Sequence, residues 1–145
     1  MSYMLIIHFC ARAQNVTFIL RPMDGRASIT QTIYVAPSGV FNLLGLSPKQ
    51  YTLYIKGDKY LAKNVSVDTT NGNVSGVTAT LPAGDANNDN SVDSTDFGVL
   101  IGAFNTNASI PGNGYDAAAD FNCDDFVDST DFGLLIGNFN LTGDN

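Results

Sequence analysis

From Asn15 to Leu81 apolar side chains fall on alternate positions, as in Val16-Phe18-Leu20, Phe41-Leu43, Tyr51-Leu53-Ile55 and Val77-Ala79-Leu81. Turn-forming clusters at Pro22 to Gly25, Pro37 to Gly39 and Asn71 to Asn73 interrupt the alternation. A period of two belongs to strands with one buried face, so the segment predicts six or seven short strands packed as a small sandwich with Greek-key connections. The apolar run from Tyr3 to Cys10 reads as a first strand. A signal-peptide core followed by Ala11-Arg12-Ala13 is the alternative, but no basic residue precedes the run.

At Leu81-Pro82-Ala83-Gly84 the alternation stops. Beyond it, Phe97-Leu100-Ile101-Phe104 and Phe132-Leu135-Ile136-Phe139 recur at i, i+3, i+4, i+7, the pattern of two amphipathic helices. Shifted by 35 residues, 85–105 matches 120–140 at 15 of 21 positions, so the region is an internal duplication. The expected organisation is a β-sandwich domain over 1–82 and a tandem loop-and-helix domain over 83–145.

Charge sharpens the division. All seven basic residues lie between Arg12 and Lys63, giving net +5 over 1–63, whereas 64–145 carries twelve acidic and no basic residues, net −12. A segment so charged repels itself when compact, and also repels nucleic acid and anionic membranes; a bound cation is the simplest neutraliser. Every acid is Asp, the carboxylate that favours turns over helix interiors. With one His and no Trp, histidine triads, multi-histidine zinc sites and Trp-lined sugar platforms lack parts, and the chain reads as no enzyme. No apolar stretch approaches the roughly 20 residues that span a bilayer. Cys10 and Cys123 lie far apart, one in an apolar run and one among acidic residues, and the sequence supplies no geometry from which to expect them to pair.

The acids are not scattered. Asp85-Ala-Asn87-Asn-Asp89-Asn-Ser91-Val-Asp93-Ser-Thr-Asp96 and Asp120-Phe-Asn122-Cys-Asp124-Asp-Phe126-Val-Asp128-Ser-Thr-Asp131 place side-chain oxygen donors at positions 1, 3, 5, 9 and 12 of a twelve-residue loop. With a backbone carbonyl from Ser91 or Phe126 at position 7, each loop offers the six or seven hard oxygens that Ca²⁺ takes at roughly 2.3–2.6 Å. Position 6 holds Asn90 or Asp125 instead of Gly, and these are the side chains that best tolerate a left-handed turn. Val92 and Val127, at position 8, are expected to pair with each other between the loops. Asp93 and Asp128 can cap the helices that follow. No amphipathic helix precedes Asp85, so each copy is half an EF-hand. In a segment this small, metal binding is expected to supply folding free energy. Gly98, Gly102, Gly133 and Gly137 each cost about 1 kcal/mol of helix propensity against Ala, which predicts compensating packing around them.

The duplicated Asp/Asn loop ending in Asp, the Ser-Thr at positions 10 and 11 and the single exiting helix resemble a type I dockerin over residues 84–140. The stretch from Gly39 to Lys56, continuing through Val65-Ser-Val67, resembles the carboxypeptidase-regulatory-like, transthyretin-type (Ig-like) sandwich. The dockerin resemblance implies two Ca²⁺ ions, an extracellular or cell-surface setting and a cohesin-like protein partner. The partner would be met through Ser94, Thr95 and Ile101 or through Ser129, Thr130 and Ile136; the Ser-Thr pairs equally suit helix first turns. Where cellulosomal dockerins carry basic residues, this chain has Ile101-Gly102 and Ile136-Gly137. The leading expectation is a non-catalytic calcium-dependent assembly module. The alternatives are a calcium-stabilised adhesive or fibre subunit pairing through its N-terminal strand, and the C-terminal fragment of a larger secreted hydrolase. Sequons at Asn15, Asn64, Asn73, Asn107 and Asn140 read as chance matches in an Asn/Thr-rich chain.

Overall fold

The structure, a computed structural model, describes residues 2–8, 10 and 12–145, with no side-chain detail for 2–8. Phe9 and Ala11, which belong to the expected first strand and the small-residue motif after it, lie outside the described residues.

The alternating segments form strands as their period requires. β2 (Gln14–Pro22), β3 (Ile29–Val35), β5 (Gln50–Gly57) and β7 (Lys63–Asp68) make an antiparallel sheet in the order β3-β2-β5-β7. β1 (Ser2–His8), β4 (Val40–Leu44) and β8 (Ser75–Thr80) make a second sheet in the order β4-β1-β8. Val16, Phe18 and Leu20 of β2 and Tyr51, Leu53 and Ile55 of β5 are buried, as are Phe41 and Leu43 of β4. The Phe18 and Phe41 rings stack with centroids 4.3 Å apart, joining the sheets across the core. Gly25 and Gly39 adopt φ of +78° and +73° where the chain turns, conformations that cost glycine little.

β1 runs antiparallel to β4 on one side and parallel to β8 on the other. The N-terminal run is therefore a strand, as expected. The expectation that it pairs with a neighbouring sandwich is overturned, because both its edges are already taken and it offers no free row of backbone groups.

Two short strands make the junction: β6 (Lys59–Tyr60) pairs with β9 (Ala83–Asp85). Gly84, at φ +125°, lies where a Cβ would stand 3.1 Å from Val92 Cγ1 and 3.5 Å from the backbone of Leu135, so the chain passes close to the second helix only with glycine there. Then follow α1 (Ser94–Ala103), β10 (Thr106–Asn107), β11 (Phe126–Val127) and α2 (Ser129–Gly137). Buried residues run without a break from the sandwich through Tyr60, Leu61, Leu81 and Ala83 into Val92, Leu100, Phe121, Val127 and Leu135. The two parts share a core.

The expected pairing of Val92 with Val127 does not occur. The Asn105 amide donates to Val127 O and the Asn140 amide to Val92 O, each at 2.8 Å. Each position-8 valine thus pairs with the segment leaving the other repeat's helix. Asn105 and Asn140, at φ +62° and +65°, reverse the chain to make this possible. Both valines are fully buried, so their packing role stands. After α2 the tail returns to the sandwich: the Asp144 amide donates to Ala62 O at 3.0 Å, and Arg21 Nη1 donates to Asn145 O at 2.8 Å.

Candidate metal loops and the helix face beside them

Each loop is wound around its first carboxylate. The amides of Asp89 and Asn90 donate to Asp85 Oδ1 and Oδ2, both at 2.9 Å, and those of Asp124 and Asp125 donate to Asp120 Oδ1 and Oδ2 at 3.1 and 3.0 Å. Asn90 and Asp125 both sit at φ +70°, the left-handed turn expected of position 6. Asn88 and Cys123, at position 4, are left-handed too, at +62° and +60°.

The last carboxylate closes the loop. Asp96 accepts from the amides of Asn87 (3.1 Å) and Asp93 (2.8 Å); Asp131 accepts from Phe121 (2.7 Å), Asn122 (3.3 Å) and Asp128 (2.9 Å). Asp93 and Asp128 each cap their helix by accepting from the amides of Thr95 and Thr130, in a reciprocal capping box with Asp96 and Asp131. Position 12 therefore shapes both loop and helix start.

The carboxylate oxygens of Asp120, Asp124 and Asp131 converge to within 4.8 Å of one another, and Asp120 and Asp131 are fully buried. Burial, and secondarily the charge of Asp120, push the Asp131 carboxyl above its ordinary pKa; burial, and then Asp85 and Asp89, do the same for Asp96. Carboxylate oxygens crowded in this way favour either a proton or a bound cation, and a cation would relieve both the burial cost and the mutual repulsion. A purely oxygen donor set suits a hard ion, and loops of this length and flexibility suit Ca²⁺ over the tighter octahedron of Mg²⁺. Asn87 and Asn122, through their Nδ2, donate to Asp89 and Asp124, holding positions 3 and 5 side by side.

The sandwich grips both loops, a feature the sequence reading missed. Lys56 Nζ, mostly buried, lies 3.0 Å from Asp85 Oδ2 and donates to Gly57 O, Tyr60 O and Asn88 Oδ1. Lys59 Nζ donates to the carbonyls of Ala117 and Asp120, and its pKa is lowered chiefly by burial. Arg12 pairs with Asp125 at 2.6 Å. Tyr60 Oη donates to Phe121 O at 3.1 Å and accepts from the Cys10 amide at 3.2 Å. Tyr115, its pKa pushed up to about 12 by burial and by its bond to Asp120, donates its phenol proton to Asp120 Oδ2 at 2.8 Å. Cys10 and Cys123 form a disulfide, contrary to the sequence expectation. Their Cα atoms lie 5.6 Å apart across 113 residues of sequence.

The apolar helix stripes are not core. Only Leu100 and Leu135 of the four positions in each stripe are buried. Ile101 and Ile136 are 51% and 49% exposed, Phe97 and Phe132 36% and 39%, Phe104 and Phe139 37% and 38%, so the two repeats expose the same positions equally. Phe97 and Phe132 meet edge to face at 6.2 Å, making one surface of two helices. A Cβ built on Gly98, Gly102, Gly133 or Gly137 meets nothing within 4 Å, so the expected compensating packing is missing. Ser94, Thr95, Ser129 and Thr130 are exposed at its edge. The helices' only charged residues, Asp96 and Asp131, are buried.

Residues 83–140 match the Dockerin type I domain family, so this part of the chain carries a dockerin domain. Two crystal structures of type II cohesin–X-dockerin complexes from Acetivibrio cellulolyticus resemble the chain over nearly its whole length. A C-terminal interface mutant aligns with TM-score 0.78 at 19% identity, and an N-terminal interface mutant with 0.72 at 18%; each alignment covers 98% of this chain and 97% of the other. At those identities the likeness is one of fold. No curated protein matches the chain.

Proposed function

We propose that the chain is a non-catalytic module that docks a cohesin-type protein in a calcium-dependent way, with one Ca²⁺ in each loop. The observation that carries this reading is the uncharged apolar surface of α1 and α2, set directly on two Asp/Asn loops within a matched dockerin domain. Asp85, Asn87, Asp89, the Ser91 carbonyl, Asp93 and Asp96 would hold one ion. Asp120, Asn122, Asp124, the Phe126 carbonyl, Asp128 and Asp131 would hold the other. Asp93 and Asp128, committed to their helix caps, would reach the ion through water. Calcium supplies the charge that lets the buried carboxylates stay ionised, and thereby fixes the start of each helix. Ser94, Thr95, Ile101, Ser129, Thr130 and Ile136 would meet the partner.

An Ig-like sandwich over 1–82, joined to a dockerin unit over 83–145, fits this reading, as does an extracellular or cell-surface setting where calcium is plentiful. No helix among the described residues is long and apolar enough to cross a membrane.

The test is retention of the purified chain on an immobilised type II cohesin, with calcium and with chelator. Binding in calcium, its loss in chelator, and a drop of at least about tenfold for Ile101→Arg combined with Ile136→Arg are expected, since an Arg at the centre of an apolar interface is desolvated without a partner. Binding that ignores both calcium and the double substitution would refute the proposal.

A further inference from the structure

We propose that Lys56 makes the two calcium loops unequal, acting as a built-in counter-ion on Asp85 that holds the first loop at lower calcium affinity than the second. The inference rests on the calcium reading above and concerns how that calcium is regulated.

The duplication supplies an internal control. Asp85 and Asp120 occupy the same position, are both fully buried, and accept the same pair of backbone amides at nearly the same distances. They differ in the remaining contact on Oδ2. For Asp85 it is an ammonium, Lys56 Nζ at 3.0 Å; for Asp120 it is a neutral phenol, Tyr115 Oη at 2.8 Å.

The ammonium cannot easily swing away, because it also donates to Gly57 O (2.8 Å), Tyr60 O (2.6 Å) and Asn88 Oδ1 (2.6 Å). A fixed unit charge on a ligand carboxylate both lowers that carboxylate's pull on a divalent ion and repels the ion directly. The cations beside the second loop are placed differently. Lys59 bonds the main-chain carbonyls of Ala117 and Asp120, and Arg12 bonds the Cys123 carbonyl and Asp125 at position 6. None of those oxygens belongs to the proposed donor set. Consistently, three carboxylates converge within 4.8 Å in the second loop, and no such group forms in the first among the described residues.

The first loop thus carries a sandwich cation directly on a proposed ligand oxygen, whereas Lys59 and Arg12, beside the second loop, touch only oxygens outside its donor set. Filling should be stepwise, the second loop first.

The experiment is calorimetric titration of the chelator-treated full chain with Ca²⁺. Two binding events about tenfold or more apart are expected. Asp124→Ala should remove the tighter event and Asp89→Ala the weaker. Lys56→Met should tighten the weaker event by about tenfold, and Lys56→Arg should leave it weak. Asn88→Asp keeps the lysine and gives it a second carboxylate at an exposed site that tolerates a left-handed backbone; it should also tighten the weaker event, which guards against Lys56→Met failing to fold. Two equal events in the unaltered chain would overturn the inference while leaving two-ion binding intact. So would a weak event unmoved both by Asn88→Asp and by Lys56→Met of normal helicity. No calcium binding in either loop would overturn both proposals.

Discussion

Repeat one and repeat two share 15 of 21 residues, the same capping boxes, the same left-handed turn and the same exposed helix face, yet they are fastened to the sandwich by different means. The first is held by Lys56 on Asp85, by Asn90 Oδ1 accepting from the Ala62 amide at 2.8 Å, and by the returning tail. The second is held by a disulfide, by Arg12 on Asp125 and by Tyr60 on Phe121. The side-chain oxygens at loop positions 1, 3, 5, 9 and 12 and the exposed helix residues are identical in the copies, whereas the attachments, Asp85 aside, use Asn90, Phe121, Cys123 and Asp125, where the copies differ, and residues outside the duplication. A duplicated unit keeps its working parts symmetric and lets its anchorage diverge. On an uncharged two-helix face, this lets one side answer to calcium differently from the other.

The largest expected effect comes from deleting position 12. Asp131→Ala and Asp96→Ala should each abolish one calcium and cost about 3–5 kcal/mol in calcium-containing buffer, the loss being greater at Asp131 if its loop binds tighter. Denaturant unfolding of the two variants side by side measures this, and equal losses would weaken the case for unequal loops.

Removal of the covalent anchor ranks next. Cys10→Ser should cost about 2–4 kcal/mol, since the bridge closes a very long loop. Hydrogen exchange should rise mainly around Asp120 to Val127, sparing Asp85 to Val92; uniform loosening of both loops would contradict the separate anchorage.

Gly143→Ala probes the other anchor. Its Cβ would overlap Asn90 Oδ1 and stand 2.6 Å from the Ala62 amide nitrogen, displacing the tail at a cost of about 1–3 kcal/mol. Exchange should then rise in the first loop and the tail, not the second loop.

The smallest effects should be symmetric. Gly98→Ala and Gly133→Ala have open space for the added methyl and should each raise thermal stability by up to about 1 kcal/mol. If either also weakens cohesin binding, the glycines serve close approach of the partner.

The parts legible in the sequence are those whose physics is local. A twelve-residue spacing of oxygens, an Asn or Asp that must turn left, and an Asp at a helix start all act locally; the left-handed Asn90 and Asp125 and the caps Asp93 and Asp128 are where they were expected. The alternation of Val16, Phe18 and Leu20 likewise named the buried face of β2. What was not legible is long-range. Helical spacing identified an apolar face on each helix but not how much of it the fold covers: of Phe97, Leu100, Ile101 and Phe104 only Leu100 is buried. Val92 and Val127 were matched to each other because nothing local shows that Asn105 and Asn140 carry each chain across to the other repeat. The disulfide needed the fold to bring Cys10 to Cys123. One signal was available: with +5 in one half and −12 in the other, part of the neutralisation comes from within the chain, through Lys56 and Arg12, alongside any bound cation.

The most direct test of the account is a crystal structure of the calcium-saturated chain with anomalous scattering collected to locate the ions. The account predicts two peaks, one between Asp85 and Asp96 and one between Asp120 and Asp131, each ringed by six or seven oxygens at roughly 2.3–2.6 Å. Empty loops at saturating calcium, or ions bound anywhere but within them, would contradict it.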